Sequence, residues 1–450
     1  MSVSNIFFWL LLVVGMINFV HLGLYTIGAN IYDMQQFRRA HKVKKTKRSV
    51  YNPHVTVLVP AHNEEMGVIR TIETICAGTY RNVSIVVIDD ASTDNTAKIV
   101  RDYIAKNSLR IQTVVSTKDG KTIRTYKRVG NLPPICLLER KKNAGKGAGL
   151  NYALTHAVRG GLTMTLDADS SLHPNAIANA VEYFRDKQVV GVAANVKIME
   201  QHTILGMLQK FEHMIGYRSK KFYTLTNSEF IVGGVASTYR YETLKKVGFY
   251  DTDTSTEDIG LSLKIVSQGN KKQRIVYAAN VVATTEGVQS YKALFRQRYR
   301  WKQGSMQNLV KYRALFGNLD NAKCSRMLTW YRIPFAVLSE IILLLQPILL
   351  SFIVYQAIIH RMPGLLVGGY LTVTVYVLWN LLPDEHHTFI QKLFLSLYVP
   401  IMYFCFFIMD TVQIVAIIRC LINARQLGSK RDEQGAWVSP KRASVIQPAL

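Results

Sequence analysis

The sequence predicts an α/β domain flanked by transmembrane helices, and three observations predict it. Four long apolar stretches lie towards the two ends of the chain, at residues 6–28, 333–359, 364–382 and 393–421. Between the first and the second, short β-branched runs alternate with helical patterns. Clusters of Asp, Asn, Ser and Thr follow those runs, at the carboxyl ends of strands where ligands of an α/β sheet lie.

The first stretch, IFFWLLLVVGMINFVHLGLYTIG over 6–28, contains no Asp, Glu, Lys or Arg. About 20 apolar residues cross a bilayer. A signal peptide would be shorter, with a basic flank before it and a small-residue cleavage pattern, so residues 1–32 are expected to remain as an anchor. Arg38, Arg39, Lys42, Lys44, Lys45, Lys47 and Arg48 follow in a basic juxtamembrane linker, 33–51. Positive flanks stay on the cytoplasmic side, which predicts a multi-pass plasma-membrane protein with its soluble domain, 52–288, in the cytoplasm.

Within that domain, VTVLVP at 55–60 and SIVVI at 84–88 read as strands with a helix at 64–76 between them. Such a unit is parallel and right-handed. Further strands are expected at 112–115, 135–138 and 162–166, and helices at 95–105 and 147–158. Residues 289–328 follow as an interfacial segment, with Tyr291, Leu294, Phe295, Tyr299, Trp301, Met306, Leu309 and Val310 spaced among many Lys and Arg. About three spans occupy 329–422, before a basic tail, 423–450. Three spans would place that tail outside, yet Arg419, Arg425, Lys430, Arg431, Lys441 and Arg442 favour the inside. Either one apolar stretch is re-entrant or one long stretch crosses twice.

Lys and Arg number 55 against 30 Asp and Glu, a net charge of +25. The excess gathers beside the predicted spans, at 38–48, at 292–313 and after Arg419, which fits anionic lipid headgroups better than a nucleic-acid groove. No zinc-finger spacing or RNA-binding aromatic signature is present, and no nucleic-acid partner is expected. Cys76, Cys136, Cys324, Cys405 and Cys420 form no CxxC pair and read as reduced, mostly buried thiols.

Three polar loops carry the candidate chemistry: Pro60–Glu65, Asp89–Asp94 and Asp167–Ser170. Each type also caps helices, and Ser92, Thr93 and Asp94 suit that role. Asp167-Ala168-Asp169 places two carboxylates on one side of an extended turn, suited to a hard divalent cation that shares its oxygens with a diphosphate. Asn143-Ala144-Gly145-Lys146-Gly147-Ala148-Gly149 sets glycines around a lysine at a helix start, which favours an anion. It lacks Walker A spacing, so ATP hydrolysis loses support. Thr256-Glu257-Asp258 precedes an apolar-faced helix. An acid there is either an N-cap or a general base.

In order, VPAHNEE, VIDDASTDNT, NAGKGAGLN, LDADS, TEDIG and QRYRW resemble the processive family 2 glycosyltransferases of the GT-A fold, over about residues 52–310. The resemblance implies that Asp89 contacts the uracil base, with Ala61 and Glu64 in the neighbouring loop. Lys146 and Asp167 would hold the nucleotide, and Asp169 would ligate Mg2+ or Mn2+. Asp258, with Glu257 beside it, would be catalytic. Gln297 and Arg300 would close over the diphosphate and Trp301 over the acceptor sugar, with Gly233 and Gly234 near the acceptor end. A UDP-sugar donor, a growing polysaccharide acceptor and an inverted, β-linked product follow. Ala91 stands where the family often has Gly, a change not expected to harm nucleotide binding. The segments around Ser237 to Tyr250 and STEDIGLSLKI are most similar to bacterial poly-β-1,6-N-acetylglucosamine synthases, with hyaluronan-, chitin- and cellulose-type synthases, and a non-processive lipid glycosyltransferase, as alternatives. A non-catalytic membrane scaffold is the alternative from another class. Few spans imply a small membrane partner subunit or self-association.

Overall fold

A computed structural model describes residues 3–45, 51–107, 110–114, 123–127, 132–199, 203–320, 323–384 and 387–423. The basic tail beyond 423, Lys47, Arg48 and Val115 lie outside the described residues. The strands are β1 Val55–Ala61, β2 Val83–Asp89, β3 Arg110–Val114, β4 Ile123–Lys127, β5 Ile135–Glu139, β6 Leu162–Thr165, β7 Ser170–Leu172, β8 Val189–Ile198, β9 Ser237–Arg240 and β10 Arg274–Thr285. The helices are α1 Val3–Lys45, α2 Val68–Cys76, α3 Thr96–Lys106, α4 Lys146–His156, α5 Ala176–Tyr183, α6 Ile204–Leu225, α7 Tyr241–Lys246, α8 Glu257–Gln268, α9 Tyr291–Lys311, α10 Ile333–Ile359, α11 Pro363–Leu381 and α12 Phe389–Ile422.

All the strands join one sheet, ordered β3-β4-β5-β2-β1-β6-β9-β8-β10-β7. Its centre is parallel. Every residue of β1 is buried, as expected of a strand covered on both faces, whose residues need not alternate. Ala61 pairs with Asp89 across β1 and β2, and Leu58 pairs with Thr165 across β1 and β6. That register brings the loops after these strands to one rim. The sheet as a whole is mixed, because β9 runs antiparallel between β6 and β8, β7 runs antiparallel to β10, and β3 and β4 form an antiparallel pair.

Two differences from the sequence reading have local causes. Helix α2 begins at Val68 rather than at 64, because Asn63 takes φ 55° and residues 64–67 form a turn. A left-handed residue cannot begin a right-handed helix. The predicted basic linker is also helical as far as Lys45, since no Pro or Gly lies between Asn30 and Lys45 to stop α1.

Four described helices are long and apolar enough to cross a membrane: Ser4–Arg38, Met327–Ile359, Pro363–Leu381 and Phe389–Ile422. They pack onto the α/β domain. Tyr32 of α1 donates to the Tyr277 carbonyl at 2.9 Å, and Asp33 accepts from Lys221 at 2.5 Å. Both ends of α12 meet the domain: Lys197 of β8 holds Asp384, just before the helix, at 2.5 Å. Near the other end, the Arg419 guanidinium lies 5.1 Å from the ring centre of Tyr299 and 5.9 Å from that of Phe295, both on α9.

Candidate active site

The rim gathers Lys146, Asp167, Glu257, Asp258 and Gly234 around one point. Lys146 starts α4, and its ammonium lies 2.6 Å from Asp167 Oδ1 and 3.6 Å from Glu257 Oε1. Burial works to lower the Lys146 pKa, but the charges of Asp167, Glu257 and Asp258 outweigh it and raise it above the ordinary value. The glycine-flanked lysine therefore meets carboxylates of its own chain. Gly145 N–H likewise donates to Asp90 Oδ2 at 3.0 Å, and Asp90 Oδ1 takes Arg140 at 2.6 Å.

Gly234 faces this cluster through a short backbone bridge. Thr165, the last residue of β6, donates to the Gly234 carbonyl at 3.0 Å. A Cβ on Gly234 would stand 2.6 Å from Lys146 Nζ and 3.8 Å from Asp258 Oδ2. Only glycine leaves that space open. Gly233, by contrast, has nothing within 4 Å of the corresponding position.

Asp258 lies in the first turn of α8. Burial first, and then the Glu257 charge, push its carboxyl up to about 6, against Lys146, the Ile259 N–H and Arg300. A carboxylate tuned towards neutrality at a helix start is suited to proton abstraction.

The nucleotide-side residues form the adjoining part of the rim. Asp89 is buried, and burial raises its pKa against hydrogen bonds from Ser92. Ala61 is buried beside it, with its carbonyl accepting from Asp90 N–H at 2.9 Å. Glu64 is buried too, with its N–H donating to Thr96 Oγ1 at 2.9 Å. Ala91, in the same loop, takes φ 57°, a conformation that costs a side chain about 1–2 kcal/mol. Ala91→Gly is therefore expected to raise stability by about 1 kcal/mol after glycine's extra unfolded-state entropy is subtracted. Chemical unfolding of the purified protein checks this, and an unchanged midpoint would show that the turn carries no strain.

Asp169 Oδ1 accepts from Ser170 Oγ at 2.9 Å and from Thr285 Oγ1 at 3.3 Å. No group of three or more His, Cys, Asp or Glu capable of holding a metal occurs among the described residues. The donors here are the oxygens of Asp167 and Asp169. Such a set fits Mg2+ or Mn2+, hard ions that take one or two carboxylates together with substrate phosphates.

On α9, Arg300 is exposed yet within electrostatic range of Asp258, and Gln297 is half-buried. Trp301 is half-buried beneath the Arg298 guanidinium, 4.4 Å from the ring centre. Three side chains missed in the sequence set this arrangement. Glu212 of α6 grips Arg298 through two bonds, at 2.9 and 2.7 Å. Asn308 donates to the Thr256 carbonyl at 3.0 Å, while Gln307 accepts from Ser255 N–H at 2.9 Å. These bonds lock α9 to the start of α8.

A family model described as Glycosyl transferase family 2 matches residues 56–248, and one described as Glycosyl transferase family group 2 matches residues 162–412, more than half of the chain. The chain belongs to this glycosyltransferase family. Its mixed sheet with flanking membrane-type helices is the GT-A arrangement expected from the motifs. The glycosyltransferase is 26% identical over 299 residues to the poly-beta-1,6-N-acetyl-D-glucosamine synthase of Staphylococcus aureus, a match covering 65% of each chain. The synthase of the same name from Staphylococcus epidermidis matches to the same extent. The glycosyltransferase thus spans just under two thirds of the length of these curated relatives. Among solved structures it is similar to the mannosyltransferase PcManGT from Pyrobaculum calidifontis in complex with GDP-Man and Mn2+. There the TM-score is 0.49 and the identity 20%, covering 82% of this chain and 98% of that one.

Proposed function

We propose that this chain is an inverting, processive glycosyltransferase that polymerises a β-linked polysaccharide, poly-N-acetylglucosamine from UDP-N-acetylglucosamine. The observation that carries the reading is Asp258. Its carboxyl is pushed up to about 6 and lies beside the open face of Gly234 and the Lys146–Asp167 pair.

In this reading the Asp258 carboxylate takes the proton of an acceptor hydroxyl. The freed oxygen forms a bond to the anomeric carbon as the bond from that carbon to the diphosphate oxygen breaks, inverting the configuration. Asp89, with the loops of Ala61 and Glu64, seats the base, while Lys146 and Arg300 face the charge of the departing UDP. Asp167 and Asp169 are the residues that would hold the divalent ion, which when bound supplies positive charge to the diphosphate. Trp301, fixed by Arg298 and Glu212, offers an apolar face to the acceptor sugar.

The four membrane-type helices are read as flanking a cytoplasmic α/β domain, with α12 long enough to cross the bilayer as one unbroken helix. On that reading, the exposed apolar residues of α1, such as Phe19 at 78% exposure, face lipid, a small partner subunit or a second copy. Coupled export of the product is part of the same reading, which the membrane-type helices packed on the domain support.

The test is synthesis. Membranes holding the full chain, given labelled UDP-N-acetylglucosamine and Mg2+, are expected to yield a long polymer digestible by a β-1,6-specific glycosidase. A lipid carrying one sugar would overturn processivity, and consumption of another UDP-sugar would overturn the substrate. Chelation with EDTA is expected to stop incorporation, and added Mg2+ or Mn2+ to restore it. Full activity in EDTA would remove the metal from the mechanism.

A further inference from the structure

A cavity lies behind the Asp169 loop, between the sheet edge and the membrane helices, and Arg70 in its wall donates to the Asp169 carbonyl at 3.2 Å. Its volume is about 530 Å³, in the ordinary range for small-molecule sites. β8, α6 and the connection from α11 to α12 contribute to its wall, and no residue assigned above to sugar transfer lines it.

Charge in this cavity is unevenly distributed. Lys197, Arg218 and Lys221 line it together with Arg70 and Lys210, whereas Asp384 is the one acid among its described lining residues. Asp33, outside the wall, serves both Arg218 at 3.3 Å and Lys221 at 2.5 Å. Lys197 is paired with Asp384 at 2.5 Å. Burial nevertheless lowers its pKa, and the positive charges of Lys210 and Lys221 act in the same direction. Arg218 is only 4% exposed, and its buried Nε has no hydrogen-bond partner among the described residues. A buried guanidinium with an unused donor is costly unless an acceptor meets it.

The cavity also has an apolar side, with Met199 and Met214 in its wall. Gln391 lines it from the first turn of α12. Just before Gln391, Phe389 and Ile390 are 80% and 65% exposed, and Phe394, about one turn after it, is 62% exposed. A cationic hollow continuous with a lipid-exposed helix suits a ligand with an anionic head and apolar chains.

We propose that this cavity binds a phosphate-bearing anion, supplied either by the headgroup of an acidic phospholipid whose chains run along α12 or by soluble phosphate. The inference is independent of the polymer and sugar assigned above.

The full chain, reconstituted in phosphatidylcholine with a minor fraction of phosphatidylglycerol, is compared by native mass spectrometry and thermal unfolding with the chain in phosphatidylcholine alone. Enriched retention of phosphatidylglycerol, with a raised unfolding temperature, supports the site and names lipid as its source. Equal protection by inorganic phosphate, with displacement of the lipid, supports the site and names soluble phosphate. Lys221→Gln is expected to weaken retention about tenfold, and Lys221→Arg to restore it. Met214→Trp, which fills the hollow without removing charge, is expected to exclude the anion and guards against misfolding of the charge variant. If neither anion is preferred, or if Lys221→Gln and Met214→Trp retain it as the parent does, the proposal is overturned.

Discussion

Asp258→Asn is expected to lower turnover by about 10²–10⁴-fold, the usual contribution of a positioned general base. Binding of UDP is expected to persist, because Asp89, Lys146 and Asp167 are untouched and the isosteric amide keeps the start of α8. The wild-type pH profile carries the same information. Burial and the neighbouring Glu257 charge hold the Asp258 carboxyl up to about 6, and the base works only when ionised. kcat/KM is therefore expected to rise with pH through about 6 and to level off above it. The Asp258→Asn profile should lose that limb. Undiminished synthesis by the variant, or a wild-type profile that stays flat into the ordinary carboxylate range, would remove Asp258 from the mechanism.

The second large effect is expected from Gly304→Ala, although the new methyl group touches no proposed site residue. A Cβ there would stand 2.7 Å from Thr256 N and closer still to its hydroxyl. Backbone cannot yield as the tip of a side chain can, so α9 must lift from the start of α8. Overpacking of this kind costs about 1–3 kcal/mol, and a displacement of about 1 Å at a reacting group costs about 10²-fold in rate. Gly216→Ala on α6 is the control, because nothing lies within 4 Å of its Cβ position. Alanine there is expected to stabilise the helix by about 0.5–1 kcal/mol. Measuring turnover and unfolding for both variants separates the two helices' requirements, and equal behaviour would show that the contact between α8 and α9 is slack.

The sequence was most legible where the fold is local and covered on both faces. β1 and β2 are continuous β-branched runs, and the acids that follow them stand where parallel strands end. β8 was unreadable for a packing reason. Gly191, Ala193 and Ala194 dilute its apolar signal, yet a Cβ on Gly191 would come within 3.1 Å of the Tyr239 ring, so the small residue is what the neighbouring strand requires. The candidate site divides in the same way. Asp89, Asp167, Asp169 and Asp258 announce themselves through short motifs. Glu212 and Arg298 are 86 residues apart, and Thr256 and Asn308 are 52 apart. Such pairs have no periodicity to expose them, and only the folded chain brings them together.

Helix α9 is fastened on one side to the start of α8 by Asn308 and Gln307, and on another to α12 through Arg419 over Tyr299 and Phe295. A tilt of α12 is therefore expected to reach the start of α8 through α9. Turnover is accordingly expected to vary with bilayer thickness, a dependence that reconstitution in lipids of different chain length would measure.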